Sequence, residues 1–169
     1  MGILTVLNQA SPEKFVTILG GIFENSPEIA AQARSERPFK SLQELHKCMT
    51  TIVSRLPAEA QLALIQAHPD LGGRVKMADA SVREQASVGL DQLTAEEFEQ
   101  FQVLNRRYRT KFGFPFIIAV RNHTRAEILQ AFERRLAQTR AAEVDQALAE
   151  IGQIAWFRLA ELVTDESKA

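Results

Sequence analysis

Apolar residues recur at spacings of three and four along nearly the whole chain, and sustained alternation of apolar and polar residues is almost absent. That rhythm predicts helices rather than strands. Ser11-Pro12 places an N-cap hydroxyl before a proline at the first helical position, leading through Phe15, Ile18 and Leu19 to a stop at Gly20-Gly21, and Ser26-Pro27 repeats the device. Ser41-Leu42-Gln43-Glu44, Thr94-Ala95-Glu96-Glu97 and Thr124-Arg125-Ala126-Glu127 are capping-box patterns that predict three further helix starts. Over roughly 140–163, Val144, Leu148, Ile151, Ile154, Ala155, Leu159 and Leu162 form one stripe of a long amphipathic helix. With no solenoid-length repeat and no low-complexity linker, the pattern predicts an all-α fold: a compact single-domain bundle of about eight helices over 1–169.

Three segments break the rhythm. The apolar run from Leu56 ends in Ala67-His68-Pro69-Asp70-Leu71-Gly72-Gly73-Arg74. Pro69 disfavours helical geometry at His68 and removes an amide donor, so the imidazole is predicted on a turn. A near-neutral imidazole followed by a carboxylate and by glycines that permit close backbone approach suits a general acid or base. Proline and glycine are also ordinary helix stops, and the residues alone leave both readings open. The second break is the polar stretch 79–91. Ser81 and Glu84 fit another capping box, yet a cap has no use for Gln85, and a hydroxyl, a carboxylate and a carboxamide on one turn suit a small polar ligand.

The third break, Lys111 to His123, contains Gly113 and Pro115, which interrupt the helix begun near Ala95. Phe116, Ile117, Ile118, Ala119 and Val120 are too apolar for a surface loop and predict one short buried extended segment. Its amides and carbonyls must find partners among side chains, water or a ligand, and a planar heterocycle with alternating donors and acceptors would serve. Arg121 then offers a planar fork for a carboxylate or a ureido carbonyl. The alternative is that the phenylalanines are core and Arg121 pairs with a surface carboxylate.

Composition narrows the field. The chain has 169 residues, 46% of them hydrophobic and 24% charged, with a formal charge of -1, which gives no electrostatic footprint for nucleic acid or an anionic membrane. A single cysteine, Cys48, excludes an intrachain disulfide and any multi-thiolate metal site within the chain. The first residues lack a basic n-region and an apolar run, no segment approaches a membrane span, and Ser167-Lys168-Ala169 has Ala where a peroxisomal tripeptide needs Leu. A cytoplasmic protein is expected.

Taken in order, His68-Pro69-Asp70-Leu71-Gly72, then Ser81-x-x-Glu84-Gln85 with Gly89-Leu90, then Phe112-Gly113-Phe114-Pro115-Phe116-Ile117 ending in Ala119-Val120-Arg121, resemble the 2-oxo-4-hydroxy-4-carboxy-5-ureidoimidazoline (OHCU) decarboxylase family. Supporting similarity runs through Leu7-Asn8, Phe23-Glu24-x-Ser26-Pro27, Arg37-Pro38-Phe39 and Leu45-His46; Glu28 departs from it, standing where the family favours an aromatic residue. The resemblance implies an all-helical homodimer that decarboxylates OHCU to (S)-allantoin and CO2, the last step from urate to allantoin, with no cofactor and no metal. It implies His68 as the catalytic acid or base, Glu84 as the group that orients the substrate and holds the imidazole's charge state, and Arg121 as the ligand of an anionic or carbonyl oxygen. Pro69, Ser81, Gln85 and the backbone of 116–120 would hold the ring.

Two other classes remain open on the residues alone. His68, Asp70 and Glu84 are a possible metal-ligand set for a hydrolase. Phe112 to Phe116 would alternatively form the groove of a non-enzymatic helical adaptor. His46 is expected to be packed or capping, His123 near the surface, and Cys48 and Trp156 in the core.

Overall fold

In a computed structural model, described over residues 2–73 and 77–166, the chain forms nine α-helices and two 3-10 turns. They are α1 (Ile3–Gln9), α2 (Pro12–Leu19), α3 (Pro27–Ala33), a turn at Arg34–Glu36, α4 (Leu42–Arg55), α5 (Ala58–Gln66), α6 (Asp79–Ser87), α7 (Ala95–Phe112), a turn at Val120–Asn122, α8 (Arg125–Leu136) and α9 (Arg140–Glu166). No strand occurs among the described residues, as the helical periodicity predicts, and the count is nine rather than about eight. Arg74 and Ser167-Lys168-Ala169 lie outside the described residues.

The start signals hold with two local differences. Ser11 accepts from the Lys14 amide, and Thr94 and Thr124 each form a full reciprocal box with Glu97 and Glu127. Ser41 caps α4, but the Glu44 carboxylate reaches back to the Lys40 amide at 2.6 Å rather than to Ser41. Ser26 makes no cap; its hydroxyl donates to the Glu24 carbonyl at 2.9 Å, which satisfies a buried turn instead of the helix.

Two compact units are distinguished: residues up to Leu64 together with those from Gly152 onward, and Ile65–Ile151. The first has a core of Leu7, Phe15, Leu19, Phe23, Ile29, Leu45 and Met49. Its polar motifs tie distant backbone together. Asn8 exchanges two 2.8 Å hydrogen bonds with the backbone of Phe39, and Arg37 Nη1 donates to the carbonyls of Leu7, Asn8 and Ala10 at the end of α1, where the helix no longer supplies all their partners. Glu24 meets Arg158 at 2.8 Å with both side chains buried, and His46 Nε2 lies 2.8 Å from the Gly152 carbonyl with its ring edge-on to Trp156. His46 is thus a packed residue, as expected. Cys48 and Trp156 are not core: both are half-buried, because each lies at the edge of its helix's apolar stripe.

The second unit is built around Tyr108. Its ring contacts Phe112, Phe114, Phe116 and Phe132 at centroid distances of 4.6–6.5 Å, and Phe116 stacks on Phe132 at 3.8 Å. The break after α7 has a simple cause. Gly113 adopts φ +81, a left-handed cap that L residues resist, and Pro115 cannot continue a helix. The chain leaves α7 as an irregular segment whose residues Phe114 to Val120 are all buried.

Candidate functional site

Helix α6 organises the polar interior of the second unit. It begins at Asp79 after Ala78, so Ser81 and Glu84 lie inside the helix and are not a capping box. At spacing i, i+3, i+4, Ser81, Glu84 and Gln85 face inward and are buried, while Val82, Arg83 and Ala86 are exposed. An amphipathic helix normally buries its apolar side; this one buries a hydroxyl, a carboxylate and a carboxamide. Desolvating such groups is costly unless they meet partners of matching chemistry.

One neighbour is the turn that carries His68. α5 ends at Gln66, and His68 follows in a bend, its amide donating to the Ile65 carbonyl at 3.2 Å and its residue only 6% exposed. The chain beyond it is pinned on several sides. Gln85 Oε1 accepts from the Gly72 amide at 3.0 Å and Gln85 Nε2 donates to the Asp70 carbonyl at 3.1 Å. From α7, Asn105 Nδ2 donates to the Leu71 carbonyl at 2.9 Å and Arg109 Nε to Asp70 Oδ1 at 2.9 Å. Gly72 is left-handed at φ +66, a conformation that disfavours any side chain, and a Cβ there would also stand 2.8 Å from Leu93 Cδ1, which would have to shift.

The other neighbour is the 3-10 turn Val120–Asn122, against which α6 packs. This turn carries Arg121, half-buried rather than on the open surface, at the end of the buried apolar segment. α6 therefore links the three sequence breaks: its Gln85 side chain fastens the His68 turn, and its body rests on the Arg121 turn. Pro69 is half-buried in the first turn, and Phe116, Ile117, Ile118, Ala119 and Val120 are buried in the third segment.

The buried segment is held by residues that sequence reading does not single out. Arg135 Nη1 donates to the Ile117 carbonyl at 2.6 Å, and Glu150 Oε2 accepts from the Ala119 amide at 2.9 Å. Arg135 Nε meets Glu143 Oε1 at 2.8 Å, and the same oxygen accepts from the Tyr108 hydroxyl at 2.5 Å. Burial, with the Glu143 hydrogen bond second, holds the Tyr108 phenol well above its ordinary range, so it stays protonated as a donor. The Arg135 guanidinium also lies 4.3 Å over the Phe116 ring. The only signal for these groups is that charged residues sit at core-facing helical positions, which in sequence looks like an interrupted stripe.

The two other function classes fare poorly. Among the described residues no three of His, Cys, Asp and Glu lie close enough to hold a metal ion, and the Asp70 carboxylate is engaged by Arg109. Phe112, Phe114 and Phe116 are buried against Tyr108 and offer no partner groove. His123 is half-buried, with Nδ1 3.4 Å from Glu127, close to the expected surface position.

Residues 8–160 match the family model described as OHCU decarboxylase. The chain belongs to the OHCU decarboxylase family. It is 47% identical over 156 residues to the 2-oxo-4-hydroxy-4-carboxy-5-ureidoimidazoline decarboxylase of Halalkalicoccus jeotgali, an alignment covering 92% of this chain and 89% of that protein. It is 46% identical over 162 residues to the uric acid degradation bifunctional protein of Bacillus subtilis, covering 96% of this chain but only 33% of the relative, so it spans about a third of that longer protein. A crystal structure of OHCU decarboxylase in the presence of (S)-allantoin superposes with a TM-score of 0.71 at 26% identity, covering 92% of this chain and 99% of that one. The family match takes in residues of both compact units, including the Asn8 and Arg37 anchors of the first and all three α6-linked segments of the second.

Proposed function

We infer that this chain is an OHCU decarboxylase, a carboxy-lyase of urate degradation that converts OHCU to (S)-allantoin and CO2. The observation that carries the reading is the buried polar face of α6, joined through Gln85 to the His68 turn and packed on the Arg121 turn, in a chain that belongs to this family.

The substrate has a hydroxyl and a carboxylate on one ring carbon, beside a ring C=N. Breaking the bond to the carboxylate releases CO2, and its electron pair forms a carbon–carbon double bond as the C=N pair moves onto nitrogen, which takes a proton. The hydroxyl then gives up its proton as its carbon becomes a carbonyl, and the ureido-bearing carbon gains one. The electron sink is in the substrate, so the protein must position groups and move protons. His68 is assigned proton transfer at the hydroxyl or the ring. Glu84 orients the hydroxyl or ureido group and holds the imidazole's charge state, and Arg121 binds an anionic or carbonyl oxygen. Ser81, Pro69 and the backbone of 116–120 hold the ring, with Gln85 acting through the turn it fastens. Protonation on one face sets the S configuration.

Donors fixed before the reaction and aimed at the charge developing on the ring nitrogen are the main source of acceleration. The reading extends to one OHCU decarboxylase-like domain over 1–169, which the family match over residues 8–160 supports, and to a homodimer in the cytoplasm. The test is a circular dichroism time course on OHCU generated in situ from urate. Rapid growth of the (S)-allantoin signal supports the reading, whereas the slow racemic background alone would contradict it.

A further inference from the structure

Two anchors from separate helices grip the backbone of the buried segment at alternate residues. Arg135 on α8 takes the Ile117 carbonyl at 2.6 Å, and Glu150 on α9 takes the Ala119 amide at 2.9 Å. The anchored pair fixes the backbone of this irregular segment on either side of Ile118.

The anchors are themselves braced. Arg135 is held by Glu143, which Tyr108 also grips, and the second Glu150 oxygen accepts from Gln146 one turn earlier on α9 at 3.0 Å. These bonds do more than satisfy a buried backbone. A neutral amide or hydroxyl would meet that need, whereas a guanidinium and a carboxylate fix direction and distance with charge-assisted hydrogen bonds.

We propose that Arg135 and Glu150 are positioning residues of the decarboxylation site, clamping Ile117 and Ala119 so that the 116–120 backbone is set in register for the substrate ring. The inference rests on the decarboxylase reading above. It assigns no proton transfer to either residue; they act through the segment they hold.

Glu150 offers the cleaner test, because it is half-buried and borders a cavity of about 290 Å³, so a leucine there finds room without overpacking. Glu150→Gln keeps an acceptor for the Ala119 amide; Glu150→Leu removes it. Both are assayed for kcat and KM well below their melting temperatures, with helix content as a control on folding. The expected result is a Leu variant that keeps its fold and loses about tenfold to a hundredfold in kcat, as for a reacting geometry displaced by part of an ångström. The Gln variant should recover most of that loss. Arg135→Lys, which keeps the charge without the planar fork, should fall between them. A folded Leu variant within twofold of the parent, or a Gln variant as impaired as the Leu variant, would overturn the proposal. A parent that does not accelerate decarboxylation would instead overturn the decarboxylase reading, and the positioning role with it.

Discussion

At the scale of single residues, the distinctive feature of this chain is how many charged and polar groups it buries in pairs. Glu143 is shared by Tyr108 and Arg135, and removing one member of such a buried set strands the others. Tyr108→Phe should cost about 1–3 kcal/mol at neutral pH, the range for leaving a buried hydrogen-bonding group short of a partner. The variant also has a pH signature. The folded state raises the Tyr108 pKa, mainly through burial, so it binds the phenolic proton more tightly than the unfolded chain does. The resulting stability is complete below about pH 10, where an unfolded tyrosine titrates, and is lost as pH climbs above that value. Urea denaturation between pH 7 and 11 should show stability falling more steeply above pH 10 in the parent than in Tyr108→Phe. His68, Ser81, Glu84 and Arg121 were legible in sequence because proline, glycine and polar clusters interrupt a helical rhythm there. Arg135, Glu143 and Glu150 were not, since a charged residue within a helix looks like surface until the fold shows what it faces.

At the scale of elements, the helices follow from apolar spacing and caps, and the site follows from where helices stop. Thr94 and Thr124 carry full reciprocal capping boxes, while the similar Ser81 and Glu84 pair lies within α6. Spacing alone could not separate them, because a cap and a buried polar face share the same i, i+3 geometry; only the position of the helix start decides. Two glycines make contrasting predictions. Gly113→Ala pays only for a left-handed conformation, since no atom lies within 4 Å of the added carbon, and should lower stability by about 1–2 kcal/mol with little change in kcat. Gly72→Ala meets the same conformational cost, with a 2.8 Å approach to Leu93 Cδ1 that the leucine side chain relieves by shifting, in the turn that carries His68. It should lose comparable stability but also reduce kcat/KM, as steady-state assays beside thermal melts would show. Equal effects of the two substitutions on activity would argue that the turn is not part of the site.

At the scale of the whole molecule, one set of polar anchors falls in the first compact unit and the candidate site residues, with their own anchors, in the second. Asn8, Arg37, Glu24 and His46 tie backbone and helices together in the first, whereas His68, Ser81, Glu84 and Arg121 all belong to the second. This explains why the sequence resemblance extends so far beyond the site. The all-helical class was legible because period and capping signals agree along the chain; the division into two units was not, because no linker or shift in composition marks Leu64 or Gly152. Since the substrate supplies its own electron sink and Asp70 is held by Arg109, turnover should be indifferent to a chelator, and restoration of lost activity by an added divalent ion would revive the hydrolase alternative.

The central claim, that His68 performs proton transfer on a small ring held by α6 and its neighbours, is tested most directly by His68→Asn. The variant should bind allantoin or a substrate analogue with an affinity close to the parent's by calorimetry, while its rate of (S)-allantoin formation from fresh OHCU falls by about 10²–10⁴, the usual contribution of a positioned acid or base. Normal analogue binding with full turnover would contradict the claim and remove His68 from the chemistry.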